Sequence, residues 1–253
     1  MKQVVAVLLA GVSIATPAQA AVASSDPVSA LKSRITAGKG VTFTDVTSYV
    51  QLSGKTKVMS RWGTLQFGKS GLAASDVSVK AAKEYGKSVV FVDERVITVG
   101  KVSYRKGGPF AERGPKGKPW LKTNKWLPVG FSGAFSQPVH ATEPGTLKAL
   151  ISAGKRSGRM YTGTVTFGQL WKVSPWARAS LVRKESDELI HYTLTLGSDN
   201  LPSRLVTTYL AEAHWPGMST EGDEIHNETV YKGWGSRYTI TPPPASQVHT
   251  GRE

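Results

Sequence analysis

The chain has 253 residues, with 32 Lys+Arg against 18 Asp+Glu, a net charge of +14, and no Cys. The missing Cys excludes a disulfide scaffold, a thiolate zinc site, a Cys nucleophile and a lipid anchor on an N-terminal Cys. The apolar content of 40% lies far above the disordered class.

In chain order, Met1-Lys2, an apolar run from Val4 to Ala15, and Thr16-Pro17-Ala18-Gln19-Ala20 have the layout of a signal peptide with an A-x-A cleavage site. The run is too short to span a bilayer. The expectation is cleavage after Ala20, with Ala23 (Ala21-Val22-Ala23) as the alternative, leaving residues 21–253 as one exported, unanchored domain. Asp26-Pro27 reads as N-cap and first turn of a helix from 27 to about 37, with Val28, Leu31 and Ile35 at helical spacing. From Val41 the period becomes two. Strands are expected at 41–52, 58–67, 77–81, 89–92, 95–99 and 102–104, the last two joined at Gly100-Lys101. Residues 105–119, rich in Gly, Pro and Lys, read as a long exposed loop, followed by a short strand at 120–122 and an irregular stretch at 127–141. Thr142 is the expected cap of a helix that Gly154 stops. Tyr161, Gly163, Val165 and Phe167 share one strand face with Thr on the other. A helix at 170–182, broken at Ser174-Pro175, precedes strands at 190–196, 201–210, 228–234 and 237–241. The fold class is therefore α+β: a large curved antiparallel sheet, an open half-barrel, with a few short helices covering its concave face.

No catalytic constellation emerges. Gly-x-Ser-x-Gly is absent, Gly130-Phe131-Ser132-Gly133 being one residue short, and there is no Walker A or dinucleotide-binding glycine motif. The five His form no His-Glu-x-x-His; His191 alternates with Thr on an outer strand face. The densest polar cluster is His214, Glu221, Asp223, Glu224, His226 and Glu228. It lacks an Asp-x-Asp spacing and reads as a solvated acidic loop rather than the metal site of an envelope hydrolase. The expectation is a non-enzyme with no cofactor and no metal.

The apolar face is more informative. Three short helices over so large a sheet point to room for an apolar ligand, the alternative being that the same side chains fill an ordinary core. Strand phases offer Phe43, Leu65, Phe67, Val165, Phe167, Tyr192, Leu194 and Tyr209 as its lining, with Leu170, Trp171 and Trp176 from the helical cover. The charge is uneven: residues 51–160 hold 20 Lys and Arg against 6 Asp and Glu, and residues 161–253 hold 8 against 10. Within that basic middle, Arg105, Lys106, Arg113, Lys116, Lys118, Lys122 and Lys125 are candidates for an anionic membrane surface or wall polymer, or serve solubility alone. Export and the lack of an RNA-recognition or helix-turn-helix signal argue against nucleic acid.

Several segments in order carry a family resemblance: Asp26-Pro27-Val28-Ser29-Ala30-Leu31 with Gly40-Val41-Thr42-Phe43; Gly63 to Gly71 with Ala73-Ala74-Ser75-Asp76; Gly163 to Gly168 with Lys172-Val173-Ser174-Pro175-Trp176; Leu201 to Val206; Tyr231 to Gly235; and Pro242-Pro243-Pro244-Ala245. Together, over about 26–248, they resemble actinobacterial secreted relatives of the LolA/LppX-type lipoprotein-carrier superfamily. The resemblance implies an open half-barrel whose helices plug the concave side, with an apolar cavity that holds acyl chains of lipids or acylated proteins. Many members of that superfamily carry an N-terminal Cys. Its absence here implies a diffusible carrier. The alternative is a cationic envelope-binding or sensory domain that uses the basic loop 105–125.

Overall fold

The computed structural model describes residues 26–83, 92–108, 114–131, 136–180, 187–211 and 222–251. Its elements are α1 (Pro27–Arg34), β1 (Lys39–Gln51), β2 (Gly54–Phe67), β3 (Leu72–Ala81), β4 (Glu94–Val99), β5 (Val102–Gly107), β6 (Trp120–Thr123), α2 (Pro144–Ala153), β7 (Lys155–Ser157), β8 (Met160–Thr166), α3 (Phe167–Val173), α4 (Pro175–Ala179), β9 (Leu189–Leu196), β10 (Pro202–Leu210), β11 (Glu224–Arg237) and β12 (Val248–Thr250). The twelve strands form one open sheet in the order β12-β6-β5-β4-β3-β2-β1-β11-β10-β9-β8-β7. Chain neighbours are mostly sheet neighbours. The long-range exceptions are β12, which pairs with β6, and β11, which returns to pair with β1 from Lys39↔Arg237 to Val50↔Glu224 and so puts the first strand at the centre. Pairing is antiparallel except for β12 beside β6.

Pleating sends alternate residues to opposite faces. On the inner face Phe43, Leu65, Val77, Val165, Tyr192, Leu205 and Tyr231 join Leu31, Leu147, Leu150, Leu170 and Trp176 of the helices in one buried cluster. Register shifts at Gly40/Thr42, Thr47/Ser48, Gln66/Phe67 and Pro202/Arg204 are bulge-type irregularities, and such irregularities bend a sheet.

Helix ends follow their local chemistry. Asp26 accepts from the Val28 and Ser29 amides ahead of Pro27 at the first turn, as expected. Ser174 breaks the third helical region as expected, ending α3 and capping α4 through the Ala177 amide. Other expectations need correction. Phe167 opens α3 rather than ending a strand, because Thr166 and Gln169 close a reciprocal capping box. The cap of α2 is Glu143, not Thr142, whose hydroxyl is bonded to His140 instead. Residues 237–241 do not form a separate strand; β11 runs through 224–237 and β12 follows the proline run. The expected strand at 89–92 lies almost wholly outside the described residues, and its last residue, Val92, is not in a strand.

Helix α2 docks very closely on β8 and β9. Its last carbonyls lack helical partners, and the Tyr192 hydroxyl donates to the Leu150 carbonyl at 2.5 Å. Gly163 makes room for this: a Cβ there would stand 2.7 Å from the Tyr192 hydroxyl and 3.0 Å from the Ala153 carbonyl. Gly163→Ala is therefore expected to cost about 1–3 kcal/mol, read as a lower urea midpoint. An unchanged midpoint would mean that α2 can shift without loss.

Candidate ligand cavity

The centre of the inner face is polar. Asp45 on β1 and Arg61 on β2 are register partners and are both buried. Arg61 Nε donates to Asp45 Oδ2 at 3.1 Å, and Nη2 donates to the same oxygen. Burial pushes the Asp45 carboxyl up, and Arg61 pulls it back. The guanidinium carbon lies 5.4 Å from the Phe43 ring centre and 5.5 Å from that of Trp176. Beside the pair, Thr47 donates to Asn227 Oδ1 at 2.7 Å.

Residues 136–142, Ser-Gln-Pro-Val-His-Ala-Thr, cross this floor as a strap, and all seven are buried. Buried irregular backbone needs hydrogen-bond partners, and Gln137 organises them. Its Oε1 accepts from the Thr207 hydroxyl at 2.8 Å and the Val139 amide at 3.2 Å, and its Nε2 donates to Thr229 at 3.4 Å. The His140 ring lies against Trp176, with centroids 4.0 Å apart. Burial, with the charge of Arg61, pushes the imidazole down to about 3, so His140 is neutral at pH 7.

Next to the strap, a cavity of about 390 Å³ opens between the β2–β3 turn and the helices. Phe67, His140, Thr142 and Trp176 form its buried floor. Leu72 and Trp126 line its wall, and Ser70, Gly145, Val173 and Pro175 stand exposed at the rim. Glu143 ties this rim together. Its carboxylate accepts from the Thr146 hydroxyl at 2.9 Å, the Ser174 hydroxyl at 2.5 Å and the Trp176 amide at 2.8 Å, joining α2 to the α3–α4 junction. Burial raises its pKa, against the lowering effect of those donors.

Of the lining residues expected from sequence, Phe43, Leu65, Phe67, Val165, Phe167, Leu170, Trp176, Tyr192, Leu194 and Tyr209 meet in one buried cluster, with Trp171 packed half-buried against it. Phe67 and Trp176 reach the cavity beside the strap. The strap is an extra cover that periodicity alone missed. The signal available was composition: residues 126–142 contain no charged residue inside the basic middle of the chain.

The basic candidates are not one loop surface. Arg105 and Lys106 are successive residues of β5 and Lys122 lies in β6, so the pleat sends Arg105 and Lys106 to opposite faces. Lys116, Lys118 and Lys125 lie outside the strands, and Arg113 is outside the described residues. Among the described residues no group of three or more His, Cys, Asp and Glu is placed to hold a metal ion. In the acidic cluster, Asp223 accepts from the Tyr49 hydroxyl at 2.9 Å, and Glu224, His226 and Glu228 line one side of β11, while His214 and Glu221 lie outside the described residues.

No protein-family model matches the chain, and no curated protein does. Among solved structures it is similar to a LolA superfamily protein from Nitrosomonas europaea. The two share 8% identity over 88% of this chain and 96% of the other, with a TM-score of 0.32. A likeness of that size concerns fold alone.

Two predictions follow from the floor and the rim. Arg61→Met leaves Asp45 buried beside no cation and is expected to cost about 3–5 kcal/mol in guanidinium unfolding. Asp45→Asn added to it should recover most of that loss, and a double variant no more stable than Arg61→Met would contradict the pairing. Glu143 holds its proton more tightly folded than unfolded. Its contribution is therefore fully present below the ordinary carboxylate pKa and is lost as pH rises through the folded value. The stability of the wild type minus that of Glu143→Gln should fall with rising pH across that window, by at most about 1.4 kcal/mol per pH unit. A flat difference would contradict the raised pKa.

Proposed function

We propose that this protein is a non-catalytic carrier that takes the acyl chain of a lipid, or of an acylated protein, into the cavity between the β2–β3 turn and α2–α4. One observation carries the reading: a 390 Å³ opening whose floor of Phe67 and Trp176 belongs to the main apolar cluster and whose rim is exposed. Pockets of this size and lining take small apolar ligands. A neutral His140 and the hydroxyl of Thr142 add polar contacts without adding a charge. The same reading is what the sequence resemblance to secreted LolA/LppX-type carriers implies. With the leader read as a signal peptide, the carrier works outside the cytoplasm as a diffusible protein.

Saturated fatty acids of increasing length test this directly. Each methylene that enters the cavity should contribute about 0.8 kcal/mol, or about fourfold in Kd, until the cavity is full and the affinity levels off. Val173→Trp at the rim should weaken binding by about tenfold or more, with thermal stability kept within about 1 kcal/mol. Affinity independent of chain length, or unchanged by the rim variant, would remove the cavity from the account.

A further inference from the structure

The outer face of the sheet carries an independent feature. Register partners line up across the strands as Thr44, Trp62, Ser78, Arg95 and Lys106, one residue from each of β1 to β5. Trp62 is 45% exposed, unusual for so large an apolar ring in mid-strand. Two shallow hollows flank it. One of about 490 Å³ is lined by the hydroxyls of Thr42, Thr44 and Thr64 with Asp76, and one of about 550 Å³ is lined by Lys80, Asp93 and Lys106; Trp62, Ser78 and Arg95 border both. At a strand spacing of about 4.8 Å, Trp62 and Lys106 stand roughly 14 Å apart.

The row is braced at its β6 end, where Trp120 shares its face. The Arg95 guanidinium carbon lies 5.8 Å from the ring centre of Trp120, and Lys106 Nζ lies 6.0 Å from it. Arg95 also makes a two-point contact with Asp76, at 2.8 and 2.6 Å. Its charge is thereby matched. Lys106 has no carboxylate partner among the described residues, and Lys80 meets Asp93 only at 4.0 Å, with both side chains well exposed. These two ammonium groups remain open to a ligand.

We propose that this face binds an acidic glycan. Trp62 offers a flat amphipathic platform for a sugar ring. The Thr and Ser hydroxyls and the Asp76 and Asp93 carboxylates offer partners for sugar hydroxyls, and Lys106 and Lys80 meet widely spaced carboxylates. The small number of uncommitted cations distinguishes this ligand from others. A nucleic acid carries a phosphate at every step and is bound through many cations, and this groove offers such a chain only Lys106 and Lys80. An anionic membrane surface likewise calls for a broader cluster of basic residues.

The test uses the full chain titrated with an oligosaccharide of uronic acid and with a neutral oligosaccharide of equal length, followed by tryptophan fluorescence and calorimetry. The uronate oligomer should bind, more weakly as salt rises, and the neutral one should bind at least about tenfold less well. Trp62→Ala and Lys106→Ala should each lose about tenfold in affinity, while Arg204→Ala, on the outer face of β10, should change nothing. Circular dichroism and thermal melting confirm that the variants fold. Equal binding of both oligomers, no binding of either, unchanged binding by both groove variants, or tighter binding of single-stranded DNA through the same residues would overturn the proposal.

Discussion

A buried arginine at the centre of the inner face constrains everything placed above it. Removing a guanidinium from water is expensive unless its charge is met, and Arg61 is met on one side by Asp45 and faced by two aromatic rings, Phe43 and Trp176. The covering segment must therefore be both uncharged and able to satisfy polar groups. The strap 136–142 meets both conditions. Its histidine stays neutral under the influence of the same arginine, and Gln137 reaches the threonines of β10 and β11. Trp176, the largest fully buried side chain among the described residues, connects this floor to the helices.

The strap also decides where a ligand can go. Were the inner face covered by helices alone, the space over Asp45 and Arg61 would be the natural cavity. The strap fills it with side chains. Among the described residues a cavity opens at one side, where the end of β2 meets the starts of α2 and α4. Glu143 closes that corner by bonding both helical segments. The rim is thus held by one carboxylate, while the floor is held by packing.

Much of the fold was legible because strands with one solvated face alternate plainly, as in Ile190-His191-Tyr192-Thr193-Leu194. Such patterns place a residue on a face but not against a partner. The pairing of β1 with β11 joins residues about 190 positions apart, and nothing local encodes it. The lining residues illustrate the same limit. Their inward phase was readable, yet whether Leu194 touches a ligand or Tyr161 depends on what covers the sheet. The strap escaped periodicity because it is neither helix nor strand. For the basic residues the limit is the opposite one: closeness in sequence does not make a common surface, and the β5 pleat separates Arg105 from Lys106.

The net charge of +14 acquires a different meaning once the two faces are distinguished. Inside, Arg61 is the one buried Lys or Arg among the described residues and is paired, and the strap over it carries no charge. On the outer face of β3–β5 the cations are graded by how firmly each is held. Arg95 is bound by Asp76 and serves as framework, Lys80 is loosely opposed by Asp93, and Lys106 rests on Trp120 with its ammonium group uncommitted. A charge already neutralised contributes little to attracting an anion, so the excess of basic residues overstates the working field. The available attraction is local, centred on Lys106 and Lys80 beside Trp62. An apolar cavity on one side and a cationic aromatic groove on the other follow from the same pleat, which keeps the two chemistries apart on opposite faces of the sheet.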